Sequence, residues 1–339
     1  MIVFRCDANS ATGLGHLSRC ISLAEAFEDL GYESLFVGNF EGAGQAFLKT
    51  AGFSFEQCPG WSVEDARAVV RRFENSQCNL VVLDSYALND AYLDALGRVA
   101  ERTVVVDDYG KLERYNCSGI LNFTVEAENV QYPDGPKLML GPDYMLTRRR
   151  FVEYRKSKSV HIPPRNVLVT FGGIDRHGAT EKVVKMFLDH TQLHVRAIVS
   201  DFYSNMAELE ALASSSDGLF EIQCQQPDLA EAFGWADVAV TAGGLSKYEA
   251  AYMGVPVLVF SQSSEEVQES GRFARHALCV DGGSGERLER DGDQVLFDFL
   301  KGTGGLEGMV RAMKNAFTVD STQNAARKML QIAGGDIRV

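Results

Sequence analysis

Over most of its length the chain alternates short β-rich apolar runs with helical patterns, and it does so in two series separated by a stretch that shows neither. Repeated βα connection leaves few solutions. Parallel neighbours need a crossover, and crossover helices cover both faces of the sheet they connect. In the first series the spacing predicts strands at Ile2–Phe4, Ser34–Val37, Leu80–Leu83, Thr103–Val106 and Gly119–Leu121, with helices near 16–30, 43–51, 62–75 and 89–101. From Asn122 to Pro164 no period is sustained, and Pro133, Gly135, Pro136, Gly141, Pro142 and the Pro163–Pro164 pair punctuate the segment. The second series predicts strands at Val167–Phe171, His194–Val199, Leu219–Ile222, Val238–Thr241 and Val255–Phe260, with helices near 179–190, 203–214, 227–234, 245–253 and 265–275. The tail predicts helices near 291–300, 306–316 and 321–333, the last with Ala325, Ala326, Met329, Leu330 and Ala333 at helical spacing. The expectation is an α/β protein of two doubly wound parallel-sheet domains, residues 1–155 and 165–320, with residues 321–339 a helix that could pack back across the junction.

A length of 339 residues is too great for one ordinary core and comfortable for two. Apolar residues at 45% and charged residues at 23% exclude a disordered or fibrous chain. The opening MIVFRCD reaches Arg5 and Asp7 too soon for a secretion signal, and no 18-residue apolar run predicts a spanning helix. Seven cysteines without a CxxC pair fit reduced thiols, so the expected setting is cytoplasmic. A net charge of −13 argues against nucleic acid as a partner. The one basic cluster, Arg148, Arg149, Arg150, Arg155, Lys156 and Lys158, reads as a solvated stretch beside a linker, with a phosphate contact or membrane docking as the sharper alternatives.

Three segments carry chemistry. The first, RCDANSATGLGHLSR, lies between the first strand and the first helix, at the strand end where open parallel sheets bind ligands. Gly13 and Gly15 allow a tight turn and close backbone approach, and the amides of the following helix attract anions. The third glycine of a dinucleotide fingerprint is missing, which argues against NAD or FAD. His16, at the positive end of the helix dipole, is placed to act as a neutral imidazole base. The second segment, VTFGGID, delivers Gly172 and Gly173 in the same way. In the third, TAGGLSKYEAAYMGVP, Gly243, Gly244, Leu245 and Ser246 offer amides and a hydroxyl to a diphosphate, and Glu249, one turn further on, suits two ribose hydroxyls. Lys247 is open between a phosphate contact and solvent. Asp84, Tyr86 and the pair Asp107–Asp108 follow further strands; acids there orient a histidine, hold sugar hydroxyls or cap turns. No zinc-ligand spacing, Walker, HExxH or GxSxG pattern occurs, so neither a catalytic metal nor a cofactor is expected.

In this order, RCDANSATGLGHLSRC, LDSYALND, VVDDYG, GPDYMLTRRRF, TFGGID and TAGGLSKYEAAYMGVPVLV resemble the motifs of the PseG/SpsG family of nucleotide-sugar hydrolases and spore-coat polysaccharide proteins, itself similar to MurG-type GT-B glycosyltransferases. The resemblance spans most of residues 1–280. It implies a GT-B fold with a UDP-sugar in an interdomain cleft, and His16 as the base that activates water against the anomeric carbon of an amino-deoxy sugar. It further implies Gly243, Gly244 and Glu249 on the diphosphate and ribose; Asp84, Tyr86, Asp107, Gly172 and Gly173, from their places at strand ends, are the other substrate-binding candidates. Where the hydrolases carry an Asn–Gln pair, this chain has Ser263–Gln268, SSEEVQ. The alternative is a glycosyltransferase that uses a UDP-sugar donor in the same cleft; a third reading is a sugar-nucleotide sensor without turnover.

Overall fold

A computed structural model describes residues 1–334 apart from 75–78, 173–174, 176–177, 201–202, 225–227 and 319. The chain divides into two compact units, residues 1–149 with 319–339, and residues 150–318.

The first unit is a seven-stranded parallel sheet. Its strands are β1 (Ile2–Cys6), β2 (Ser34–Gly38), β3 (Ser54–Gln57), β4 (Leu80–Asp84), β5 (Thr103–Val106), β6 (Gly119–Asn122) and β7 (Lys137–Leu140), in the spatial order β3-β2-β1-β4-β5-β6-β7. β1 and β4 are buried along their whole length, as strands covered on both faces must be. The helices are α1 (Gly15–Asp29), α2 (Gly42–Thr50), α3 (Val63–Glu74) and α4 (Asp90–Ala95). The helix predicted near 89–101 is α4 followed by a 3₁₀ turn at Gly97–Arg102. The order reverses between β1 and β4: β2 and β3 lie to one side of β1, and β5 to β7 follow on the other side of β4. That reversal opens a crevice at the carboxyl ends of β1 and β4.

All of α5 (Arg149–Ser157) but its first residue belongs to the second unit, which contains a six-stranded parallel sheet. Its strands are β8 (Asn166–Thr170), β9 (His194–Val199), β10 (Phe220–Cys224), β11 (Val238–Thr241), β12 (Val257–Ser261) and β13 (Val280–Ser284), ordered β10-β9-β8-β11-β12-β13. The helices are α6 (Ala179–His190), α7 (Met206–Ser215), α8 (Ala230–Trp235), α9 (Leu245–Met253), α10 (Ser264–Arg275), α11 (Gly285–Lys301) and α12 (Thr303–Ala316). Here the switch point falls between β8 and β11, so the loops carrying Gly172 and Gly243–Gly244 leave adjacent strands at the same edge.

Three strands escaped the sequence pattern: β3, β7 and β13. Each is the outer strand of its sheet, and an outer strand needs no continuous apolar run. Ser54–Gln57 is mostly exposed and Val280–Ser284 contains two glycines. The basic cluster is also more ordered than its charge suggests. Arg148 reaches Glu25 at 2.7 Å, and Arg149 reaches Asp29 at 2.7 Å and Glu28 at 3.1 Å. Arg150 meets Asp228 at 3.2 Å, and Arg155 donates to the Phe317 carbonyl. Most of these cations are matched within their own unit.

The last helix, α13 (Ser321–Ile332), belongs to the first unit, where it packs on α1, β6 and β7 through the buried Ala325, Ala326, Met329 and Leu330. Thr322 fastens its start. The hydroxyl accepts from the Thr147 amide at 2.9 Å and lies 3.1 Å from both the Met145 and Thr147 carbonyls. Removing a buried partner of this kind costs about 1–3 kcal/mol because the groups left behind stay dehydrated. Thr322→Val is therefore expected to lower unfolding stability by that amount in urea titration; an unchanged midpoint would mean the strap is held by its apolar face alone.

Lys158 sits where the chain enters the second unit, donating to the carbonyls of Gly234 and Ala236. Burial pushes its ammonium down from about 10.5 to about 8, with Asp237 opposing only in part. Below pH 8 the folded chain carries a buried charge that the unfolded chain solvates freely. Between about 8 and 10.5 the folded form has released its proton while the unfolded form still binds one, so this group adds stability as pH rises. Urea titrations at pH 7.5 and 9.5 are expected to show a smaller gain with pH in Lys158→Met than in the unaltered chain; equal gains would remove Lys158 from the account.

Candidate active site

The first unit's switch point gathers side chains that sequence distance conceals. β1 leads into a loop in which Asn9 accepts from the amides of Ala11 and Thr12, at 2.9 and 3.1 Å, and Gly13 takes the left-handed φ of +67° that a larger residue would resist. Gly15 and His16 then open α1, which has no side-chain cap and no acid in its first turn. Asp84 closes β4, directly across the reversal.

His16 and Asp84 meet here. His16 Nδ1 lies 2.6 Å from Asp84 Oδ1. Arg19, one turn further along α1 and so on the same face, clamps the same carboxylate from Nε and Nη2, both at 2.6 Å, and extends Nη1 to Asp108 at 2.7 Å. Asp84 is fully buried, and His16, Arg19 and Asp108 are nearly so. Burial alone would push the Asp84 carboxyl up, but the Arg19 guanidinium and the His16 ring outweigh it and hold the group well below the usual carboxylate range. Burial likewise opposes the Arg19 charge, and Asp108 and Asp84 more than offset it. An ionised Asp84 can only accept, so the proton of a neutral His16 resides on Nδ1 and the lone pair on Nε2.

Tyr86 stands beside this group, its ring edge-on to His16 with centroids 4.5 Å apart. Its hydroxyl donates to Asp108 Oδ2 at 3.0 Å, yet 59% of the residue is exposed, so the ring is held and reachable at once. Tyr109 packs against it at 5.4 Å. The other Asp108 oxygen, Oδ1, is buried and has no hydrogen-bond partner among the described residues. A carboxylate oxygen left so is an acceptor that a ligand donor could fill.

Asp107, which the sequence marked for substrate, is used in folding the loop. Its Oδ1 accepts from the amides of Tyr109 and Gly110 at 2.9 and 3.1 Å, and its Oδ2 from the Tyr115 hydroxyl. The neighbouring Asp108 points the other way, into the network. Arg19 was also not singled out, although its i+3 spacing from His16 on an amphipathic helix was the available signal.

In the second unit, Gly172 follows β8 with φ +77°; Gly173 lies outside the described residues. Gly243 and Gly244 join β11 to α9, which begins at Leu245 and Ser246, again without a side-chain cap or an acid in its first turn. Glu249 is nearly buried one turn in. Two details differ from the expectation. Lys247 is wholly buried, donating to the Gly243 carbonyl and to Glu269 at 3.1 Å, so it faces neither solvent nor a phosphate. The Gly243 amide donates to Glu266 Oε2 at 3.1 Å, so it already has an acceptor.

No family model matches the chain. Among curated proteins it is 24% identical over 285 residues to the spore coat polysaccharide biosynthesis protein SpsG of Bacillus subtilis, covering 83% of each chain. It is 23% identical over 278 residues to the pseudaminic acid cytidylyltransferase and UDP-2,4-diacetamido-2,4,6-trideoxy-beta-L-altropyranose hydrolase of Helicobacter pylori, covering 79% of this chain and 46% of that one. An uncharacterized protein of Methanocaldococcus jannaschii matches at 23% over 270 residues, 76% of this chain and 54% of its own. The chain thus spans about half the length of the last two. Among solved structures it superposes on MurG of Acinetobacter baumannii with a TM-score of 0.66 at 14% identity, over 97% of this chain and 99% of that one. Anabaena HepE in complex with UDP and glucose follows with 0.55 at 13%, over 97% and 99%. The two parallel sheets are those of the GT-B fold, and in sequence the chain is similar to SpsG and to the pseudaminic acid enzyme.

Proposed function

We propose that the chain hydrolyses a UDP-linked amino-deoxy sugar at the anomeric carbon, releasing UDP and the free sugar. The observation that carries this reading is the Asp84–His16 pair at the switch point of the first unit, with Nε2 as the basic nitrogen. Water bound at Nε2 would lose a proton to the ring as its oxygen attacks C1 and the C1–O bond to the diphosphate breaks. The imidazolium so formed is stabilised by the carboxylate already at Nδ1. UDP leaves as a stable anion, so the acid assistance that a poor leaving group requires is not needed.

Recognition divides between two sets of residues. In the first unit, Asp108 Oδ1 would accept an N–H or O–H of the sugar, and the exposed Tyr86 ring offers a face to its apolar side, with Gly13 and Gly15 letting the backbone come close. In the second unit, the amides at Gly243, Gly244, Leu245 and Ser246 suit the diphosphate, the first of them once Glu266 gives it up, and Glu249 suits the ribose. Gly172 and Gly173 would line the substrate, and Asp107 supports it indirectly through the loop that presents Asp108. The relatives supply the substrate class: one is named for hydrolysis of a UDP-diacetamido-trideoxyhexose and another for spore-coat polysaccharide synthesis. No helix, among the described residues, is long and apolar enough to cross a membrane.

A second reading, transfer of the sugar to an acceptor hydroxyl deprotonated by the same His16, is favoured by the MurG likeness. The two separate on one property. A hydrolase releases UDP from a UDP-sugar alone, whereas a transferase needs the acceptor.

The test is UDP release from a panel of UDP-sugars, including 2,4-diacetamido-2,4,6-trideoxyhexoses, with no acceptor present. Steady release is expected from the unaltered chain, reduced about 10²–10⁴-fold in His16→Ala, the usual contribution of a positioned base. Binding of the sugar nucleotide without release would replace hydrolysis by transfer. Asp84→Asn is expected to lose kcat to a similar degree with KM little changed, because an amide donating to Nδ1 moves the ring proton to Nε2. Full activity in that variant would detach Asp84 from the reaction.

A further inference from the structure

The second unit holds an anion in the seat that the nucleotide reading gives to a phosphate. Glu266 Oε2 accepts from the Gln262 amide at 2.7 Å and from the Gly243 amide at 3.1 Å. The carboxylate lies so close to the turn that a Cβ on Gly243 would fall 2.7 Å from the Glu266 Cβ, and one on Gly244 would lie 3.8 Å from Oε1. Local capping explains part of this. Ser263 caps α10 by accepting from the Glu266 amide at 3.2 Å, and a glutamate at that position ordinarily turns back to the capping residue's own amide. Here the carboxylate extends past its helix to an amide of the β11–α9 turn. The Glu266 side chain is only half-buried, so it can leave the seat without exposing core.

We infer that Glu266 is a built-in competitor for the diphosphate: it occupies the Gly243 amide in the free protein, yields it when a nucleoside diphosphate binds, and returns when the product leaves. This rests on the nucleotide site proposed above. The physical basis is that two anions cannot both take the one N–H of Gly243. A seat already satisfied by a charged acceptor gives an incoming phosphate only the difference between two charge-assisted hydrogen bonds. The consequence is weak retention of UDP, which lets an enzyme whose product is UDP turn over. It also means that the Gly243 amide counts toward diphosphate affinity only after Glu266 has moved.

Glu266→Gln isolates the charge, since the amide oxygen still accepts from Gly243 and Gln262 and keeps the cap. Isothermal titration with UDP and with uridine decides the matter. The variant is expected to bind UDP about tenfold tighter or better, a change of about 1.4 kcal/mol, with uridine affinity unchanged because uridine brings no phosphate. UDP affinity that is unchanged or weakened in the variant would overturn the competitor role and leave Glu266 as a brace, with the nucleotide site intact. Failure of both proteins to bind UDP would overturn the nucleotide site itself, and this inference with it.

Discussion

Two carboxylates are buried at the ends of β4 and β5, and one guanidinium lies between them. Arg19 gives three of its N–H groups to Asp84 and Asp108. For Asp84, burial alone would push the carboxyl up, and the guanidinium is the largest influence that holds it down. The rest of the first unit's site follows from that ion pair. Asp84, kept as an acceptor, fixes the His16 ring; Asp108 holds the Tyr86 hydroxyl and, among the described residues, has one oxygen without a partner.

The two units place their loops by the same rule. Each sheet reverses its strand order once, between β1 and β4 and between β8 and β11, and the segments with glycines lie at the carboxyl ends of those strands. The electrostatics of the two ends differ. At the first, the side chains form a closed acid–base group around His16. At the second, backbone amides dominate, and the charges nearby, Lys247, Glu266 and Glu269, are engaged in holding the turn. One end suits proton transfer and the other suits an anion.

How much of this was legible follows from the range of each interaction. Central strands announce themselves because burial on both faces demands unbroken apolar runs, as in Leu80–Leu83. Edge strands such as β3 and β13 carry no such demand and were invisible. His16 and Asp84 could be chosen separately, since each lies at a strand end, but their contact spans 68 positions and needed the sheet order. The choice of Asp107 over Asp108 turned on one residue of alternation, which a pattern of types cannot resolve where a strand becomes a turn. The diversion of the Gly243 amide to Glu266 links two loops and left no trace in composition. Lys247 looked like a surface cation for the same reason: its partner Glu269 lies on another helix.

The first unit's site turns on a protonation pattern: Asp84 holds the proton of a neutral His16 on Nδ1 and leaves Nε2 as the base. Nitrogen-15 NMR of the histidine-labelled chain, with His16 assigned by its absence in His16→Ala, measures this directly. The expected result is a protonated Nδ1 and an unprotonated Nε2 wherever the ring is neutral. A His16 carrying its proton on Nε2 would contradict it.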